Sequence, residues 1–142
     1  MLQKLVMKIL YAKNKPKELE HFKLQLFNLN ELILIPPENW LKKRMNSFNY
    51  DQSFSNNGIL YPIMVSTHEP EWVYERFKRK NLPHIDENNK VKPGLYVQTG
   101  NKRVLWAREN GYDQIEGYLV HNKQDKVKIR SITHIGHNKI PK

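Results

Sequence analysis

The chain has 142 residues, with 24 Lys+Arg against 14 Asp+Glu and a formal net charge of +10. Such a field favours polyanions: nucleic acid, nucleotides or an acidic protein partner. There is no cysteine, which excludes disulfides, thiolate metal sites and Cys nucleophiles. The chain is 39% hydrophobic, with three Trp and seven Tyr, a composition that excludes global disorder and suffices for one domain with one core. No apolar run approaches the roughly 20 residues needed to span a bilayer. The opening residues lack a small-residue cleavage site. A cytoplasmic protein without a transmembrane segment is expected.

Leu2, Leu5, Val6, Ile9 and Leu10 share the spacing of one helical stripe. Residues 1–21 therefore read as an amphipathic N-terminal extension, its helix ended by Pro16. Residues 22–26 alternate with period two and predict a strand. The apolar run at 29–35 meets Pro36-Pro37, which stops a regular ladder. Residues 38–45 predict a short helix with a basic outer face. Residues 51–57 predict another, closed by Gly58. Residues 59–65 are rich in β-branched and aromatic residues and predict a strand, with Pro62 implying an edge or a bulge.

Further along, Pro70 suits the first turn of a helix over residues 69–79, and residues 81–92 read as a loop. Residues 95–98 predict a strand, and residues 101–110 a helix ended by Gly111. Residues 116–120 predict a strand. Residues 126–132 alternate Val127 and Ile129 against Lys126, Lys128 and Arg130, the pattern of a half-exposed strand. The domain proper is expected over 22–135, followed by a basic tail at 136–142. Mixed strands and short helices give an α+β class with a small mixed sheet.

The segment most suited to chemistry is a strand followed by Thr99-Gly100-Asn101-Lys102-Arg103 and a helix. Gly100 permits a sharp turn and close ligand approach. The first N–H groups of the helix have no intrahelical partners and carry partial positive charge, which suits an anion. Lys102 and Arg103 add full charges, and the Arg fork matches phosphate oxygens.

The wider order of elements includes Gly58-Ile59-Leu60-Tyr61-Pro62-Ile63-Met64-Val65 and then Leu95-Tyr96-Val97-Gln98-Thr99-Gly100-Asn101-Lys102-Arg103-Val104-Leu105-Trp106-Ala107. The stretch Gly111-Tyr112-Asp113-Gln114-Ile115-Glu116-Gly117-Tyr118-Leu119-Val120 follows. This order resembles the N-terminal domain of the ParB family, the ParB/sulfiredoxin-like or ParB-like nuclease domain. The resemblance covers residues 22–120, and residues 29–39 resemble the family's opening Pro/Asn stretch. It implies a phosphate role for Gly100 and Arg103, with CTP or ATP and Mg²⁺ as cofactors.

Four departures accompany it. The family's usual turn is Gly-Glu-Arg-Arg, whereas Asn101 and Lys102 occupy the middle positions here. No Cys is present for sulfiredoxin chemistry. The interval 66–93 is long and reads as an insertion. The chain ends soon after Val120, so the helix-turn-helix domain of partition proteins is not expected. A stand-alone domain of this kind fits a phage or mobile element.

Other residues enter as contributors to the same reading. Lys42, Lys43 and Arg44, together with Arg76 and Arg79, are candidate nucleic-acid contacts. Trp40, Trp72 and Trp106 are candidates for base stacking, with core packing the better role for Trp106. Glu38 is the candidate catalytic acid. Glu69, Glu71, Asp86, Glu87, Asp113 and Glu116 are a pool from which a Mg²⁺ ligand or general base would come. His134 and His137 form the only close His pair; on a strand they face opposite sides, so no metal site is expected. The leading expectation is a stand-alone domain binding nucleic acid or nucleotide phosphate. The alternatives are an enzyme of the same fold (nuclease, nucleotide hydrolase or nucleotide-dependent kinase) and a protein-interaction module without chemistry.

Overall fold

The computed structural model of the chain describes residues 6–47, 49–68, 84, 86–88 and 90–133. The expected helix at 69–79, with Trp72, Arg76 and Arg79, lies outside them. So do His134, His137 and the tail at 136–142. Among the described residues the class is α+β, a six-stranded mixed sheet with four α-helices. The strands are β1 (Ile9–Leu10), β2 (Leu24–Asn28), β3 (Leu32–Ile33), β4 (Ile63–Thr67), β5 (Leu95–Thr99) and β6 (Gln114–Val120). The helices are α1 (Glu38–Ser47), α2 (Tyr50–Asn57), α3 (Asn101–Glu109) and α4 (Lys123–Thr133).

The sheet is organised around β6. Gly117 pairs with Gln25 of antiparallel β2 and with Ile63 of parallel β4, so those strands take opposite edges of β6. Gln114 pairs with Ile9 of β1 and Asn28 of β2, so β1 and β4 follow one another along the same edge. β5 runs antiparallel to β4, and β3 runs parallel to β5. Both faces are covered. Ile63, Val65, Val97 and Ile115 pack with Leu41, Phe54 and Trp106 from α1, α2 and α3. Met64, Tyr118 and Val120 pack with Leu19 and with Ile129 of α4. A strand buried on both faces has no polar alternation, which accounts for the continuous Ile63-Met64-Val65 run. Each such side chain contributes about 1.5–3 kcal/mol by leaving water.

Three expectations are corrected. The helical stripe ending at Leu10 is not a helix there, because Ile9 and Leu10 form β1. Asp113 Oδ2 accepts the Lys8 N–H at 2.8 Å, and the Asp113 N–H donates to Lys8 O at 2.8 Å. These tertiary bonds lock the segment beside β6 and outweigh the weak stability of a short isolated helix. The strand expected over 59–65 begins only at Ile63, while Ile59 makes an isolated parallel bridge to Ala12. Pro62 stands just before it, where a missing N–H costs no ladder bond.

The strand expected over 126–132 lies inside α4. Ile129 is fully buried and Val127 is 59% exposed, so residues two apart face opposite ways. Asn122 starts this helix: its Oδ1 accepts the Asp125 N–H at 2.9 Å, and its Nδ2 donates to Asp125 Oδ2 at 3.0 Å. The side-chain bond to the N–H three residues on satisfies an orphan donor of the first turn.

Candidate phosphate-binding site

α3 begins where β5 ends. Gly100 joins them with φ 103° and ψ 23°, and its carbonyl accepts the Val104 N–H at 2.9 Å. A Cβ at Gly100 would meet Ile63 Cγ2 at 2.6 Å and Arg103 Nε at 3.1 Å. The glycine is therefore required by its left-handed backbone and by the packing beneath it. No side chain caps the helix here, so its first-turn N–H groups are not taken up by a capping residue.

A cavity of about 290 Å³ opens at this helix start. Thr99, Gly100, Asn101, Lys102 and Arg103 all line it, so the five residues of the sequence motif come together. They do different work. Asn101 faces inward: its Oδ1 accepts the Ile35 N–H at 3.0 Å and its Nδ2 donates to Val97 O at 3.1 Å. Lys102 Nζ lies 3.4 Å from Tyr50 Oη and 4.6 Å from the centre of that ring.

Arg103 is only 1% exposed. Its Nη1 donates to Tyr61 O at 2.6 Å and to Pro62 O at 3.1 Å. Half of its fork thus holds the chain where it enters β4. Its Nη2 is the one buried side-chain nitrogen or oxygen without a hydrogen-bond partner among the described residues. Burial lowers its guanidinium to about 10, while Tyr50 nearby favours the charge. It remains a cation at neutral pH.

Two further features complete the cavity. Arg130 reaches it from α4, and Trp40 and Tyr50 line it from α1 and α2. Among the described residues, its lining includes Lys102, Arg103 and Arg130 and no Asp or Glu. In a cleft partly shielded from solvent by protein, cations without a neighbouring carboxylate attract an anion more strongly than in bulk water. Arg130 and Tyr50 were not among the sequence candidates. The signal for Arg130 was the Asn122-x-x-Asp125 helix start, which period-two reading passed over. Tyr50 offered no signal, since only tertiary packing brings α2 against α3.

The remaining candidates sit elsewhere. Glu38 is exposed in the first turn of α1 and does not line the cavity. Its charge instead favours the ionised form of Arg108, against burial that lowers it. Lys42 pairs with Glu109 at 3.4 Å, on the side of α1 away from Trp40. Lys43 is exposed. Arg44 lies 5.0 Å from the centre of the Trp40 ring. Trp106 is buried, as its core reading expected, and its Nε1 donates to Asp51 Oδ1 at 2.8 Å.

Three acids of the candidate pool serve the backbone. Asp113 holds Lys8, Glu116 Oε1 accepts the Ala12 N–H at 2.9 Å, and Asp86 Oδ1 accepts from Asn88 and Lys90. Among the described residues no three His, Asp or Glu converge as a metal-holding group, and no helix is long and apolar enough to cross a membrane. Comparison with known protein families, curated proteins and solved structures finds no match.

Proposed function

We propose that this chain is a ParB/sulfiredoxin-like domain that binds the phosphate of a nucleotide or nucleic acid at the start of α3. The unpartnered Nη2 of buried Arg103 carries this reading. A buried donor left unmade costs about 1–3 kcal/mol, more when charged. Arg103 lines the cavity, and a phosphate oxygen that reaches its Nη2 would supply the charge-assisted bond it lacks. The uncapped helix start, Lys102 and Arg130 add to the same field. Family membership is supported by the order of a Pro62-preceded strand, a second strand, the Gly100-x-x-Arg103 turn, a helix and a closing strand. Binding is favoured over turnover because Asp113, Glu116 and Asp86 each hold backbone groups. At about 290 Å³ the cavity is at the small end of ligand sites, which suits one nucleotide unit rather than a duplex.

The test is ligand-induced thermal stabilisation by CTP, ATP, ADP and GTP, each with and without Mg²⁺. Wild type is compared with Lys102→Ala and Arg130→Ala, because both side chains reach the cavity without being buried as Arg103 is. A ligand at 100 times its dissociation constant adds about 2.7 kcal/mol to the folded state. Each charge removed is expected to weaken binding about tenfold. If no nucleotide stabilises wild type and no single strand binds with a steep salt dependence, the reading is wrong.

A further inference from the structure

The cavity has an aromatic wall as well as a cationic floor. Trp40 lines it and is 48% exposed, so part of a large aromatic surface is open to solvent at the cavity. Its α1 neighbours Leu41 and Met45 are buried, so the helix already has its core-facing side chains. The Trp40 ring is also covered on one side by the Arg44 guanidinium, 5.0 Å from its centre. A cation over one face leaves the other for a planar ring, and Arg adds its own stacking and charge. Phosphate-binding groups and an exposed indole thus border one small cleft, with Tyr50 on the Lys102 side.

Resting on the phosphate reading above, we propose that Trp40 is a stacking platform and that the ligand is an unpaired nucleotide. Its phosphate meets Arg103, Lys102 and Arg130, and its base lies on the Trp40 ring. A base inside a duplex has both faces occupied by its neighbours, so it cannot use this platform. Stacking on an aromatic side chain is tolerant of base identity, because every base has a π-face. The platform thus selects for an accessible base and not for a sequence. The same chemistry is offered by a free mononucleotide and by the 5′-phosphorylated end of a single strand.

The experiment is calorimetric titration of four probes: inorganic phosphate, ribose 5-phosphate, CMP with AMP, and a 5′-phosphorylated tetrathymidylate. Each is titrated into wild type, Trp40→Ala, Trp40→Phe and Lys102→Ala. The base-bearing probes are expected to bind wild type roughly 5- to 150-fold more tightly than ribose 5-phosphate, the range of one aromatic–base stack. Trp40→Ala is expected to abolish that advantage and leave ribose 5-phosphate unchanged, while Trp40→Phe restores part of it. Lys102→Ala is expected to weaken all phosphate-bearing probes alike. A Trp40-dependent advantage for the oligonucleotide alone makes the strand end the ligand, and one for CMP and AMP makes it the mononucleotide. The proposal is overturned if ribose 5-phosphate binds as tightly as the nucleotides, or if their advantage survives Trp40→Ala. In those cases the phosphate reading still stands. If no probe binds wild type, this proposal falls, and the phosphate reading falls with it when CTP, ATP, ADP and GTP also fail to stabilise the fold.

Discussion

The two ends of α3 are built from similar parts and differ in what those parts have left over. Each end carries an arginine that holds two backbone carbonyls of another segment. At the start, Arg103 holds Tyr61 and Pro62. Near the end, Arg108 bonds Leu29 O through Nε at 3.0 Å and Nη2 at 2.6 Å, and also holds Leu32 O. Each end borders a cavity, and the one beside Arg108 is larger, about 430 Å³ against about 290 Å³. The larger cavity has Glu31 and Asp113 in its wall, and the Glu38 charge also acts on Arg108. The smaller has no acid among the described residues and keeps a buried N–H unmade. Size therefore does not distinguish the two. The buried cation does, because one of its donors is left without a partner and no acid in the wall offsets its desolvation.

Matched substitutions at the two ends sharpen this contrast. The largest effect is expected at the arginines. Arg103→Ala strands two carbonyls inside the protein and is expected to cost about 2–5 kcal/mol in denaturant unfolding. Arg108 is only half-buried, so Arg108→Ala is expected to cost about 1–3 kcal/mol, with phosphate affinity unchanged. Equal losses of stability, or a loss of affinity in Arg108→Ala, would break the comparison.

The glycines come next. Gly111 has φ 78° and nothing within 4 Å of an added Cβ, whereas Gly100 has both a positive φ and the Ile63 side chain in the way. Gly111→Ala is expected to cost about 1–2 kcal/mol from the left-handed backbone alone. Gly100→Ala is expected to cost about 2–4 kcal/mol, since overpacking adds to that strain. Thermal unfolding of the two variants checks the order, and a smaller cost at Gly100 would show that Ile63 yields easily.

The smallest effect is expected at the asparagines. Asn101 bridges Ile35 and Val97, and its loss should cost about 1–2 kcal/mol. Among the described residues the Asn110 side chain bonds Trp106 O alone, at 2.8 Å, and its loss should cost about 0.5–1 kcal/mol. Hydrogen exchange of the Ile35 amide reads the first directly. Unchanged protection there in Asn101→Ala would mean that α1 is positioned by packing instead.

The Gly100 turn is legible in the sequence because it depends on local rules. A β-rich run, a glycine and a helix-forming stretch identify the strand, the turn and α3 within a few residues. The same locality makes α1 and α2 readable. The family resemblance adds the expectation of phosphate chemistry at that turn. Two segments mislead because they are short and their local pattern is ambiguous. The apolar stripe near Leu10 fits a helix, yet Asp113 and β6 capture it as a strand. Val127 and Ile129 fit a strand, yet the Asn122 start and burial of Ile129 make a helix.

By itself, then, the sequence determined that basic and glycine residues would meet at a helix start, since residues 99–103 are neighbours in the chain and local backbone preferences are strong. Only the tertiary structure decided that Arg103 turns inward, that Asn101 is spent on Ile35 and Val97, and that Arg130, Tyr50 and Trp40 surround the same cleft. The physical reason is that a side chain's task depends on which groups lie within hydrogen-bond reach. For Arg103 those are the carbonyls of Tyr61 and Pro62, some forty residues away, brought there by β4 pairing with β5 and β6.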